Sequence, residues 1–138
     1  MDIRAYREAD EAAVIALWQR CGLTRPWNDP ARDIRRKLAV QPEMFLVGER
    51  GGVVVASAMA GYDGHRGWIN YLAVEPELQG RGFGRLLMGE AERLLREAGC
   101  PKINVQIRNS NAAALDFYRK LGFAADEAVS MGKRLEKD

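Results

Sequence analysis

Gln79 to Arg85 reads Gln-Gly-Arg-Gly-Phe-Gly-Arg, three glycines alternating with side chains ahead of an amphipathic run. A glycine inside a helix costs about 1 kcal/mol relative to alanine, so glycines where a helix begins need another reason. Without Cβ atoms the chain can turn sharply and expose successive N–H groups. Together with the positive end of the helix dipole, these groups form an anion site. The charges agree. Arg81 and Arg85 stand where an unliganded helix gains from Asp or Glu, and the first acid is Glu90. Each such cation costs roughly 0.3–1 kcal/mol unless an anion neutralises it. Gly80, Arg81, Gly82, Phe83, Gly84 and Arg85 therefore read as a diphosphate-binding segment; a turn that merely joins strand to helix is the other reading. GxxxxGK(S/T) is absent, and the spacing GRGFG departs from GxGxxG. The dinucleotide turn also belongs near the start of a parallel sheet, whereas a β-meander precedes this one.

The elements that must hold this segment follow from periodicity. Asp2 to Arg7 alternate as a first strand. Asp10 is placed to cap a helix whose Val14, Leu17, Trp18 and Cys21 form one apolar stripe. Thr24 to Pro30 (TRPWNDP) is loop-like, with Asp29 as N-cap and Pro30 as first residue of a short helix through Ile34 and Leu38. That helix should stop near Gln41-Pro42. Strands are expected over 44–50 and 53–62, joined by the hairpin signal Gly51-Gly52. Residues 68–74 are apolar on both faces, as suits a strand with neighbours on either side. Leu87, Ala91, Leu94 and Ala98 mark the inward face of a long helix ending at Gly99, and 102–107 is another strand. Asn109-Ser110-Asn111 leads into a helix carrying Ala114, Phe117, Tyr118 and Leu121, closed by Gly122. A last strand region is expected from Phe123 to about Leu135. The order is that of a mixed sheet with helices on its faces, built as one domain over 1–138.

Composition narrows the class. The 138 residues are 47% hydrophobic and 29% charged, an ordinary folded composition. A net charge of +2, without blocks of like charge, makes no electrostatic case for nucleic acid or membrane. The start MDIRAYREADE has no apolar core of a signal peptide, and no segment approaches the roughly 18 apolar residues of a membrane span. Cys21 and Cys100 lack CxxC spacing and read as reduced thiols of a cytoplasmic protein. With a single histidine in the chain, no metal site is expected.

LAVEPELQGRGFG resembles the acetyl-CoA-binding signature of the Gcn5-related N-acetyltransferases (GNAT), whose core Gln/Arg-x-x-Gly-x-Gly/Ala is matched by Gln79, Gly82 and Gly84. A second signature, Asn-x-x-Ala-x-x-Phe-Tyr-x-Lys-x-Gly-Phe, is matched by Asn111, Ala114, Phe117, Tyr118, Lys120, Gly122 and Phe123. RPWNDP and GYDGHRG together look like the small bacterial YpeA-type members. The resemblance covers the whole chain. It implies an α/β fold with a mostly antiparallel mixed sheet of six to seven strands, splayed at its centre and flanked by about four helices.

It also implies a chemistry. Strand 68–74 would splay from strand 102–107, and the pantetheine arm of acetyl-CoA would pair with Leu72, Ala73 and Val74 like an added strand. The diphosphate would rest on the N–H groups of 80–85, behind Gln79. The Leu72 N–H would polarise the thioester carbonyl as an oxyanion donor. Asn111 would contact the pantetheine arm, and Phe117 and Lys120 belong to the same cofactor-binding signature. Acetyl transfer needs a neutral amine, and a lysine-like amine is neutral only about one part in 10³ at pH 7, a cost of roughly 4–5 kcal/mol. Tyr118 takes the position of the family's general acid, with a core aromatic as the plain alternative. Many relatives place a glutamate on one of the splayed strands. This chain has Trp68, Asn70 and Tyr71 on the first and Asn104 and Gln106 on the second, so the base is left open. Asp63, His65 and Glu75 are the nearby titratable groups; His65 has a suitable intrinsic pKa, and an exposed turn residue is its plain reading. Trp27 and Asn28, in the loop that overhangs the acceptor, join Asp63 and Tyr71 as candidate substrate contacts, Trp27 with a core plug as the equal alternative.

The expected activity is therefore acetyl transfer from acetyl-CoA to a primary amine of a small molecule or peptide, by direct attack in a ternary complex. IRNSNAAALDFYRKLGF also resembles enzymes acting on protein N-termini. The competing class is a catalytically silent acyl-CoA-binding module. Edge strands near the C-terminus mediate dimers in this fold, which leaves a homodimer open.

Overall fold

A computed structural model describes residues 1–138, which divide into two compact units, 1–104 with Asp138, and 105–137. The first unit holds strands β1 (Asp2–Ala5), β2 (Phe45–Arg50), β3 (Val53–Tyr62) and β4 (Gly67–Val74), and helices α1 (Glu11–Arg20), α2 (Pro30–Leu38) and α3 (Phe83–Glu97). Strand β5 (Ile103–Val105) follows α3, and its last residue is the first of the second unit. Sheet order is β1-β2-β3-β4-β5, antiparallel from β1 to β4. A helical crossover joins β4 to β5, the connection that parallel neighbours require, so the sheet is mixed. The two strands meet where the Gly67 N–H donates to the Lys102 carbonyl at 2.8 Å.

Two apolar layers explain why β3 is buried from Val55 to Ala60. On one face Val14, Leu17 and Trp18 of α1 and Ile34 of α2 pack with Phe45, Val47, Met59 and Ala73. On the other, Leu87 of α3 sits on Ala56 and Ala58, small residues that let the helix approach. Each large apolar side chain so enclosed contributes about 1.5–3 kcal/mol. Residues of β4 divide the same way: Tyr71 and Ala73 join the α1 face, Leu72 and Val74 the α3 face.

Local signals place most ends. Gly51 and Gly52 take φ of 56° and 79°, turning β2 into β3. Asp29 caps α2, its Oδ1 accepting from the N–H groups of Ala31 at 3.0 Å and Arg32 at 3.3 Å. Asp10 behaves differently from expectation. Its carboxylate does not cap α1; it accepts from the Arg7 N–H at 2.8 Å and takes a two-pronged grip from Arg4 at 2.7 and 2.9 Å. The buried stripe of α3 is Leu87, Met88, Ala91 and Leu95, while Leu94 is half-buried and Ala98 exposed. The i, i+4 row through Leu87 faces the sheet, and Leu94 and Ala98 lie one residue off it.

In the second unit, helix α4 (Ala112–Lys120) is capped by Asn111, whose Oδ1 accepts from the Ala114 N–H at 3.0 Å. Gly122, at φ 95°, ends it as expected. Residues 123–135 form no strand, so the sheet has five strands where six to seven were expected. Phe123 packs edge-on against Tyr118, but Val129, Met131 and Leu135 are about nine-tenths exposed. Burying nothing, they do not offset the 1–2 kcal/mol per residue that backbone ordering costs.

Candidate active site

The register of β3 with β4 slips midway: Ser57 faces Ala73, yet Met59 faces Asn70. One residue, Ala58, is thus opposite two, Tyr71 and Leu72, which is a β-bulge. Tyr71 lies at φ 51°, a left-handed conformation costing a non-glycine residue about 1–2 kcal/mol. Its side chain supplies the offset. The ring stacks on Trp18 with centroids 3.9 Å apart and planes 13° from parallel. The hydroxyl donates to Asp33 Oδ2 at 2.6 Å, and burial together with that bond pushes the phenol's pKa up. An aromatic stack contributes roughly 0.5–1.5 kcal/mol and a hydrogen bond to a charged group roughly 1.5–3. Behind the bulge, Trp18 Nε1 donates to Ser57 Oγ at 2.8 Å, and Ser57 Oγ in turn donates to the Tyr71 carbonyl at 3.4 Å.

Past the bulge the Glu75 N–H donates to the Val55 carbonyl at 2.8 Å, so Val74 and Ala56 form a non-hydrogen-bonded pair. The main-chain groups of Val74 consequently point away from β3. The Val74 carbonyl accepts from Gln79 Nε2 at 3.1 Å and from Cys21 Sγ at 3.2 Å, which ties the following turn back to the strand.

In that turn Gly80 (φ 82°) and Gly82 (φ 85°) flank Arg81, and a Cβ on either glycine would meet nothing within 4 Å. Alternating hands of this kind turn successive N–H groups to one side, a concavity suited to anions. Gly82 is the N-cap of α3 and offers no side-chain acceptor, and the first turn holds no acid. Leu86 is the first residue whose N–H reaches back into the helix, to the Gly82 carbonyl at 3.1 Å. The N–H groups of Phe83, Gly84 and Arg85 precede it and lack intrahelical partners. Arg81 and Arg85 are exposed and in no ion pair. The Phe83 ring lies under the Arg50 guanidinium, 5.4 Å from its centroid. Donors, dipole and free cations all fit a diphosphate.

The remaining candidates are each placed by their own surroundings. His65 is exposed in the β3–β4 turn, most of the length of β4 away from Leu72. Asp63 Oδ1 accepts from the N–H groups of His65 at 2.8 Å and Arg66 at 2.7 Å, bonds that hold its carboxyl below the usual range. Glu75 is ion-paired with Arg20 at 2.6 Å. Trp27 is 52% exposed, so it is no core plug, and Asn28 follows it just before α2. In the second unit Tyr118 is buried and its phenol is pushed up to about 12 by desolvation. Phe117 meets it edge-on at 5.1 Å, and Lys120 pairs with Asp116 at 3.1 Å. Sequence reasoning missed Asp33 and Ser57; a serine within VVVASAMAGY was the one available signal.

An anion-suited turn that follows a bulged strand fits an acyl-CoA-dependent transferase. Residues 5–123 match the acetyltransferase (GNAT) family. An acetyltransferase from Yersinia enterocolitica is 47% identical over 138 residues, spanning all of this chain and 98% of the relative. Among solved structures, Ard1 from Thermoplasma volcanium superposes with a TM-score of 0.78 at 28% identity, over 89% of this chain and 82% of that one. The ribosomal-protein-S18-alanine N-acetyltransferase of Escherichia coli does so with 0.74 at 25% identity, over 93% and 79%. The chain belongs to the acetyltransferase (GNAT) family: it is an N-acetyltransferase whose co-substrate is acetyl-CoA.

Proposed function

We propose that this protein, as one domain over its whole length, moves an acetyl group from acetyl-CoA to a primary amine by direct attack within a ternary complex, in the cytoplasm. The observation that carries this reading is the turn from Gly80 to Arg85, with its outward N–H groups, its acid-free helix start and its two unpaired arginines. In this reading those N–H groups hold the diphosphate, and the pantetheine arm pairs with Val74 on the side of β4 that faces away from β3, whereas the main-chain groups of Ala73, opposite Ser57, are already used by β3. The Leu72 N–H donates to the thioester oxygen as it gains charge. Asn111 borders the pantetheine arm. The Tyr118 phenol, kept protonated by its raised pKa, gives its proton to the departing thiolate. Neither β4 nor β5 carries a carboxylate, so the amine arrives neutral or loses its proton to water; the further proton its nitrogen sheds as the amide forms also passes to water, and Tyr118 is reprotonated from solvent. Trp27, Asn28 and Tyr71 border the acceptor, and likeness to the S18-alanine enzyme supports a peptide amine as well as a small one.

The test is turnover of acetyl-CoA against a panel of small amines and peptides, followed as free CoA thiol. Some acceptor should support turnover, and Tyr118→Phe should lower it about a hundredfold or more. Retention of full activity by that variant would refute the proposed proton donor.

A further inference from the structure

We infer that Asp33 and Tyr71 form a positioning pair that fixes the bulge of β4, and with it the direction of the Leu72 N–H. Only the consequence for turnover rests on the oxyanion role proposed for Leu72; the lock itself is read from the fold.

Two residues other than glycine take a positive φ, Gln41 at 53° and Tyr71 at 51°. Both are held by their own side chains. Gln41 pairs its amide with the main chain of Tyr62, through Nε2 to the carbonyl at 3.0 Å and Oε1 from the N–H at 2.8 Å. Tyr71 is held from three elements: Trp18 of α1 against the ring, Asp33 of α2 at the hydroxyl, and Ser57 of β3 at the carbonyl. Such over-determination is what keeps a sparsely populated backbone state in place. Asp33 is itself fixed, its Oδ1 accepting from Arg36 at 3.0 Å while Arg36 also grips Asp138 at 2.7 Å.

The stack alone does not set φ, because a ring can slide over Trp18 while the backbone relaxes. The phenol-to-carboxylate bond ends that freedom by fixing the far end of the side chain to α2. With the bond gone, extended backbone at position 71 becomes the nearest alternative, and an extended chain there turns Leu72 away from its present direction. Asp33 touches neither co-substrate nor acceptor in this scheme; it acts through Tyr71.

The experiment uses the full chain with Tyr71→Phe, which keeps the ring, and Asp33→Asn, which keeps the shape of α2. The three-bond HN–Hα coupling at position 71 reads φ directly in the ligand-free protein, and kcat and KM for acetyl-CoA read its use. In both variants the coupling should rise toward the value of extended strand. Turnover should fall about tenfold to a hundredfold while KM for acetyl-CoA stays within about twofold. An unchanged coupling in both variants overturns the pair. A raised coupling with unchanged kcat keeps the pair and overturns the oxyanion role of Leu72. Losses in kcat and KM together, with the coupling unchanged, would show only general loosening and also overturn it.

Discussion

Within a dozen residues the chain adopts left-handed backbone by two different means. At Tyr71 a bulky residue takes φ 51° and is braced by side chains from α1, α2 and β3. At Gly80 and Gly82 the same hand costs little, and the open space around both positions leaves the main chain bare. The first arrangement holds one geometry firmly. The second leaves N–H groups and two arginines without partners inside the fold, as the proposed diphosphate site requires. Firmness suits a group that must point one way during a reaction; bareness suits a grip on a ligand. The two regions should therefore respond oppositely to substitution, the bulge through stability and the turn through binding.

The largest effect belongs to the brace. Trp18 is fully buried, stacks on Tyr71 and satisfies Ser57, which has no exposure either. Trp18→Ala removes the ring and leaves a buried hydroxyl short of its donor, and is expected to cost about 3–5 kcal/mol in urea unfolding. Arg81→Ala, in the bare turn, should lie within about 0.5 kcal/mol of the parent. Comparable losses at both sites would remove the distinction.

How much of this the sequence displayed depends on range. The glycines and arginines of the turn, the Asp29 cap and the Gly51-Gly52 hairpin are local signals, and each appears where it was expected. Strand β3 runs over the same residues, Val53 to Tyr62, that apolar composition marked. The bulge was invisible, because a period of two cannot register one inserted residue. Asp33 meets Tyr71 across 38 positions, a partnership that only the packing of α2 creates. Nearness in sequence misled in one case: His65 is a few residues from Leu72, but an extended strand carries the two apart. The missing strand beyond Phe123 is the opposite error, apolar residues counted without asking what would cover them.

A smaller loss should follow alkali. Burial and Asp33 raise the Tyr71 phenol, and desolvation raises Tyr118 to about 12. A raised acid favours the folded protonated form, so this stability is complete below the ordinary tyrosine pKa of about 10. It disappears as pH climbs from there through the folded value. Urea midpoints should be level near neutrality and decline above pH 10 or so, and Tyr71→Phe should decline less. A midpoint indifferent to pH up to 12 would contradict the desolvation of both phenols.

At the turn the expected numbers shrink and move to binding. Gly82→Ala places a Cβ in open space but on a backbone at φ 85°, so its cost is conformational, about 1–2 kcal/mol. Relaxation of that strain would tilt the N–H groups, and CoA affinity measured by calorimetry should fall with stability. A variant that loses stability alone would mean the cradle lies elsewhere.

The smallest change separates the two regions most sharply, because its two readouts have opposite signs. Arg81 and Arg85 oppose the dipole of α3 and pair with no acid. Arg81→Glu and Arg85→Glu replace an unfavourable charge by a favourable one. Each should therefore stabilise the ligand-free protein by roughly 0.3–1 kcal/mol at low salt. The same charges repel a diphosphate, so CoA affinity should drop and the drop should lessen as salt is added, since exposed charges are screened. Residues that serve a ligand and not the fold weaken the resting state. Gain in stability with loss of binding is the signature of such residues. Loss of both would place the two arginines among the structural supports of α3.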